Sequence, residues 1–269
     1  MSDDQEEAQR KYARAKEMVA RGKQAMGEGH RLLRELSGKV RHARTRGQVN
    51  QQIWECEKLN GRRAEFFSQA GQDAFLDERV FGGKRNGVFV EIGGYDGLTG
   101  SNCLFFELLR GWTGLLIEPS PKFFARAQSF RRATCLQLAV AAEEGEAEFL
   151  EVQEGFSQMS GLTGSYDEKL RQQVESDPRH KGELIRVKTK SLPAILDQHF
   201  LKEIDFVSLD VEGGEMAVLS NFPFDRYKVH AWTVENNTGG TEIPALMQEK
   251  GYARIEALGV DDIYVKKSD

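Results

Sequence analysis

Short apolar runs alternate with amphipathic stretches over most of this chain. Val88–Ile92, Thr113–Glu118, Cys135–Val140, Ile204–Asp210 and Val229–Glu235 are short runs rich in apolar side chains. Runs of that length predict strands covered on both faces. Between them, apolar residues recur at helical spacing: Leu104, Phe105, Leu108 and Leu109, then Phe123, Phe124, Ala127 and Phe130. The same spacing predicts helices over Leu192–Phe200, Met216–Leu219 and Thr241–Gly251. Glu146–Val152 alternates as a further strand, and Ile185–Thr189 reads as a short one. Tyr252–Leu258 and Asp262–Lys266 flank Gly259 as a closing hairpin. Alternating strand and helix builds a parallel sheet, here with an antiparallel hairpin at its edge. Residues 153–183 are polar and aperiodic, and a loop of that length predicts a lid over a substrate.

The first sixty residues follow another rhythm. Tyr12, Val19, Met26, Leu33 and Val40 recur every seven residues, with Ala15, Gly22, Gly29, Leu36 and Ala43 in the alternate seam. Heptad spacing over residues 5–48, free of proline, predicts a broken helix or helical hairpin. Arg46-Gly47 is the expected stop, followed by a second helix over Gln48–Leu59. The seam suits either self-association through residues 1–60 or packing on the chain's own domain. The expected division is therefore a helical arm at 1–60 and an α/β domain at 61–269.

Composition narrows the function. Residues 1–60 carry 13 Lys and Arg against 9 Asp and Glu; the remaining chain carries 24 against 33. An acidic main domain disfavours a nucleic-acid track. Three cysteines without C-x-x-C spacing predict reduced thiols, and the opening MSDDQEEAQRK carries no apolar leader, so the expectation is a cytoplasmic protein. No apolar run reaches the roughly 20 residues of a membrane span.

The chemistry centres on Val88–Gly100, a strand that feeds a helix through Gly93, Gly94 and Gly97. The spacing is not that of the dinucleotide fingerprint. Asp96 sits where a pyrophosphate would lie, and its charge repels phosphate and attracts a cation. That favours S-adenosylmethionine, with its sulfonium and ammonium groups, over NAD or ATP. Glu118 closes the next strand 21 residues after Gly97, a placement suited to both ribose hydroxyls.

VEIGGYDGLTGSN, LLIEPSP, VSLDVEGGEMAVL and TVENN, in that order and preceded by SQAGQD at 68–73, resemble the FkbM-type S-adenosylmethionine-dependent methyltransferases. The resemblance spans about residues 68–265. It implies a seven-stranded Rossmann-like (class I) methyltransferase sheet and methylation of a hydroxyl on a sugar, glycan, polyketide or related natural product. Gly94-Tyr95 departs from the family's more usual Ala-Asn. The cofactor residues implied are Gln72, Glu91, Gly93, Gly94, Tyr95, Asp96, Gly97, Asn102, Glu118, Pro119, Ala139, Val140 and Asp210, with Asp73 beside Gln72. A hydroxyl acceptor needs a base, and Asp210, Glu212 and Glu235, closing neighbouring strands, fit that role. Asp210, Glu235 and Asn236 also look like an oxygen-ligand set for Mg2+. Glu212 and Glu215 have a plainer reading as caps of the following helix. His180 is a better base candidate than His230. The alternative to an enzyme is a catalytically silent binding or assembly module that works through the N-terminal helices.

Overall fold

The computed structural model describes residues 3–166 and 168–267. The chain runs α1 (Asp3–Ser37), α2 (Ala43–Leu59), α3 (Gln72–Phe75, continuing as a π-helical turn over Leu76–Phe81), β1 (Val88–Ile92), α4 (Leu104–Arg110), β2 (Thr113–Ile117) and α5 (Pro121–Phe130). It continues with β3 (Thr134–Leu136), β4 (Ala139–Val140), β5 (Gly145–Glu154), β6 (Gly161–Leu162), α6 (Glu168–Glu175), β7 (Lys181–Lys190) and α7 (Leu192–Gln198). The last elements are β8 (Glu203–Leu209), α8 (Glu215–Ser220), β9 (Lys228–Glu235), α9 (Glu242–Glu249), β10 (Tyr252–Leu258) and β11 (Asp261–Lys266).

Seven strands form one sheet in the order β10-β11-β9-β8-β1-β2-β3. All pairings are parallel except those of β11, which runs antiparallel to both neighbours. This is the α/β methyltransferase sheet that the resemblance implies. The apolar strands sit at its centre because both faces are covered. One face packs Val90, Ile92, Ile117, Val207 and Trp232; the other packs Phe89, Leu116, Phe206 and Phe106. Helix starts are set locally. Ser120 and Ser191 accept hydrogen bonds from the amides of Phe123 and Ala194, and a proline follows each in the first turn.

Three expectations change. The run 135–140 splits: β3 joins the main sheet, while β4 pairs with β7 in a second sheet of order β4-β7-β5-β6. One apolar run serves two sheets, so its periodicity cannot reveal the break. The aperiodic segment 153–183 is not a plain loop. It holds β6, α6 and the first residues of β7, which pairs along its length with β5. Leu150, Val152, Tyr166 and Val174 make a small core beneath it. Its strand residues are exposed and charged on one side, which hides them from a search for buried runs. Asp167 lies outside the described residues.

At the N-terminus the chain breaks at residues 38–42, not at Arg46-Gly47. Gly22, Gly27 and Gly29 stay inside α1, where added methyl groups would meet nothing. Gly47 lies inside α2 for a different reason than a stop. A Cβ there would overlap the carbonyl oxygen of Gly259, whose amide donates to the Gly47 carbonyl at 3.0 Å. Val49, Ile53 and Trp54 of α2 are buried, and Trp54 joins the core beneath the sheet. Arg46 pairs with Glu256 of β10, and Asn50 donates to the Ala257 carbonyl at 2.8 Å. By contrast, Tyr12 and Val19 of α1 are exposed. The heptad seam is therefore open along the outer half of α1.

Two glycine substitutions should move stability in opposite directions. Gly47→Ala forces α2 off β10 and should cost about 1–3 kcal/mol in urea unfolding. Gly22→Ala should raise stability by up to about 1 kcal/mol, because it only improves helix propensity. Equal effects of the two would show that α2 does not rest on Gly259.

Candidate active site

The site opens where β1 and β8 end side by side. Gly93 and Gly94 donate to the Ile117 carbonyl at 3.0 and 3.1 Å, which curls the chain over β2. Gly93 has φ 79°, and a Cβ there would run into the Asp210 carbonyl oxygen. Only glycine meets both demands. A Cβ on Gly94 would press on Leu116, and one on Gly97 would press on Ala127 and Arg131. Of the three, Gly93 alone is exposed.

Glu118 follows β2 and is buried. Its carboxylate accepts the amides of Tyr95 and Ser120, each at 2.8 Å. Each oxygen keeps a further lone pair, toward a small cavity of about 50 Å³ that Glu118 lines with Ile92, Gly93, Pro119, Phe123, Ala139 and Val140. Burial pushes the Glu118 pKa up to about 8, against the pull of its two amide donors. The Tyr95 ring packs on Phe123 at 4.1 Å, and its hydroxyl meets the Ser157 hydroxyl at 2.7 Å. Gln158 reaches the Thr99 carbonyl at 3.4 Å. Residues 157–158 thus close over the glycine turn from the second sheet.

A second, larger cavity of about 480 Å³ adjoins the first and shares Gly93, Tyr95, Asp210 and Glu212 with it. Its walls come from Gln51 of α2, Gln72, Glu91, Asn102, Met159, Glu235, Asn237 and the Gly259–Asp261 turn. Five carboxyl groups gather on this side: Asp210, Glu212, Glu215, Glu235 and Asp261. Oxygens of Asp210, Glu215 and Glu235 lie within 4.8 Å of one another. One carboxylate oxygen each of Glu212 and Glu235 is buried without a partner. Burial first, and then mutual repulsion, raises Asp210, Glu212 and Glu235 well above the carboxylate range. Burial also takes Asp261 to about 6. Like charges this close oppose one another's ionisation, so each acid in the cluster titrates as part of the group.

Several residues singled out by the sequence take other places. Asp96 accepts from the amides of Leu98 and Thr99 and from the Thr99 hydroxyl, at 2.7 to 3.0 Å. It closes its own turn and lines neither cavity. Gly97 also lies outside both, its carbonyl accepting from Arg131 at 2.9 Å. Asp73 is buried, taking the amides of Phe67, Ser68 and Ala74. Asn236 turns away from the acids and donates to the Gly240 carbonyl and to Asp262, both at 3.1 Å. Glu215 stands in its place within the carboxylate cluster. Glu215 ties down the loop ahead of α8, accepting from the amides of Val211 and Gly213, without a capping bond to the helix itself. Glu212 does not cap it either; it has φ 57° and faces both cavities. Gln72 lines the crevice and donates to Asp261 at 2.9 Å. Asn102 donates to the Ser208 hydroxyl at 2.9 Å, and its carbonyl oxygen is buried without a partner. His180 and His230 line neither cavity.

Arg131 escaped notice in the sequence. Fully buried, it binds Glu91 at 2.9 Å and Glu107 at 2.7 Å, and it holds the Gly97 carbonyl. It ties the glycine turn to β1 and α4. Glu91 is therefore a support beneath the crevice, joined also by the Ser101 hydroxyl at 2.7 Å. An acid inside an apolar strand was the available signal for a buried partner. Asp261 was hidden by its position at the start of the closing strand β11, next to the hairpin turn.

The donor set fits S-adenosylmethionine on this geometry. A buried acid with spare lone pairs, an exposed glycine backbone and a cluster of acids offer places for a ribose, an amino-acid tail and a cation. In overall fold the chain is similar to methyltransferase FkbM from Methylobacillus flagellatus KT, at TM-score 0.47 and 9% identity over 87% of this chain. It spans 57% of the length of that chain. It is also similar to a TehB-like SAM-dependent methyltransferase from Corynebacterium glutamicum, at TM-score 0.39 and 12% identity, over 83% of this chain and 99% of that one. A precorrin-6y C5,15-methyltransferase from Geobacter metallireducens gives TM-score 0.40 and 13% identity, over 76% and 92%. Curated protein sequences give no match. The Methyltransferase FkbM domain model matches residues 91–253, more than half of the chain, and takes in the glycine turn, Glu118, Asp210 and Glu235. The chain belongs to the FkbM methyltransferase domain family.

Proposed function

We propose that this protein transfers a methyl group from S-adenosylmethionine to a hydroxyl of a small acceptor: a sugar, glycan, polyketide or related natural product. The observation that carries the reading is half-buried Asp210 and buried Glu235 standing together beside the exposed Gly93 backbone. S-adenosylmethionine supplies an activated methyl carbon, so the protein has to align the acceptor and take its proton. Glu118 would hold the ribose through its free lone pairs, with Ala139 and Val140 along the base. Asp210, rather than Asp96, would face the cationic end. Glu235, with its unpartnered oxygen and raised pKa, would accept the hydroxyl proton as the methyl moves. Acids around the crevice favour a small acceptor over a nucleic acid. Three free cysteines fit a cytoplasmic setting.

A second reading adds Mg2+, on the cluster of Asp210, Glu215 and Glu235. Carboxylate oxygens suit this ion, and its charge would lower the pKa of a nearby hydroxyl. The open apolar positions of α1, among them Tyr12 and Val19, also support self-association through residues 1–60. That feature is what an assembly module would use.

Calorimetry with S-adenosylhomocysteine tests the cofactor site. Glu118→Ala should weaken binding by about tenfold or more, the scale of hydrogen bonds to a charged acceptor; NAD should not bind. Ribose hydroxyls donate best to the ionised carboxylate. With a free-protein pKa near 8, binding should therefore release a proton and strengthen from pH 6.5 to 9. Glu118→Gln should flatten that trend.

Once an acceptor is found, Glu235→Gln should lower kcat by about 100-fold or more while S-adenosylhomocysteine affinity stays near normal. If EDTA removes activity and Mg2+ restores it, the cluster works as a metal site. If EDTA has no effect, the Asp210–Glu235 pair acts through its proton alone.

A further inference from the structure

A third cavity, of about 260 Å³, lies where the turn between α1 and α2 meets the loop between β9 and α9. It is separate from the two already described, yet Gly259 and Val260 line both it and the large crevice. The wall between them is one turn of backbone. Its chemistry is the reverse of the crevice: Arg41, His42, Arg44 and Arg254 converge on it, against one acid, Asp262.

Those arginines are not neutralised as the arginines that brace the fold are. Arg46 is paired with Glu256, Arg110 with Asp77 and Arg131 with two glutamates. Arg41 has no partner among the described residues. Arg44 donates through one terminal nitrogen to the carbonyls of Asn236 and Asn237, and so keeps its charge and its other donors. Arg254 touches Asp262 only at 3.4 to 3.5 Å, while Asp262 is already engaged by Asn236 and by the Tyr264 hydroxyl. Two guanidinium charges without a carboxylate, and a third with a distant one, bound a cavity large enough for a ligand group. Guanidinium forks match the tetrahedral oxygens of phosphate better than any other side chain.

We propose that this pocket binds a phosphoryl group, and that the methyl acceptor carries that group while its hydroxyl reaches over Gly259–Val260 to the Asp210–Glu235 pair. The substrate class is then a phosphorylated hydroxyl compound. The inference rests on the methyl-transfer reading for the direction of the hydroxyl. It also gives the α1–α2 turn a task, since Arg41, His42 and Arg44 all lie on it or at its edge. The acidic crevice keeps the phosphoryl end away from the donor, and the arginines keep it in place.

Titration of the full-length protein with inorganic phosphate at constant ionic strength, followed by calorimetry or 31P NMR, tests the pocket. Saturable binding should weaken about tenfold in Arg41→Gln and in Arg254→Gln, the scale of a lost charge-assisted hydrogen bond. Arg171→Gln, on exposed α6, should leave it unchanged. Saturating S-adenosylhomocysteine should not displace phosphate, because the two sites are distinct. Four results would overturn the proposal: no saturable phosphate binding, equal loss in Arg171→Gln, displacement by S-adenosylhomocysteine, or acetate binding as tightly as phosphate. Arg41 is exposed and carries no structural contact, so its substitution leaves the fold intact. If S-adenosylhomocysteine binds but phosphate does not, the pocket proposal fails while the cofactor reading stands. The reverse result would sink the cofactor reading alone.

Discussion

The contact on which this site depends is the approach of the β1 terminus to the β8 terminus. The Asp210 amide donates to the Ile92 carbonyl at 3.2 Å, and the Asp210 carbonyl occupies the space that a side chain at 93 would need. Two strand ends that touch in this way put Glu118, Asp210 and Glu235 on one rim of the sheet. Ligands of open α/β sheets bind beyond the carboxyl ends of the strands. Here the rim has the further property of gathering negative charge beyond what its own backbone donors can satisfy. Glu118 and Glu215 are each steadied by two amides, whereas Glu212 and Glu235 each keep an oxygen without a partner.

Support for the rim comes from below and behind. Arg131 carries the turn from beneath through Glu91 and the Gly97 carbonyl. A buried guanidinium with two carboxylates is costly to desolvate, and its worth lies in fixing one arrangement of the turn. Tyr95 fixes the other side, with its ring on Phe123 and its hydroxyl on Ser157. The departure from Ala-Asn at Gly94-Tyr95 thus ties the second sheet to the donor end of the site.

Much of this was legible before the structure. The buried strands, the glycine turn, the acid after β2 and the acids after β8 and β9 are all local patterns, and each lands on the rim. What escaped depends on contacts between distant segments. Asp96 looks free in the sequence, but two amides and a hydroxyl three residues on or nearer consume its oxygens. Asn236 looks like a ligand beside Glu235, but successive residues at a strand end point to opposite faces, and it faces Asp262 instead. Gly47 reads as a helix stop because nothing local announces that Gly259 will press against it. Arg131 lies between α5 and β3 in a run of charge, with no sign that three other segments close around it.

The two halves of the site differ in how they are assembled. The donor pocket is drawn mainly from one stretch, β1 through β4, with the second sheet closing over it. The large crevice is drawn from pieces far apart: Gln51 on α2, Met159 in the loop between β5 and β6, and Gly259–Asp261 at the closing hairpin. Change in any one of those pieces can reshape the crevice without disturbing the small cavity beside Glu118. The wall of the crevice is thus free to vary in peripheral segments while the glycine turn stays as it is.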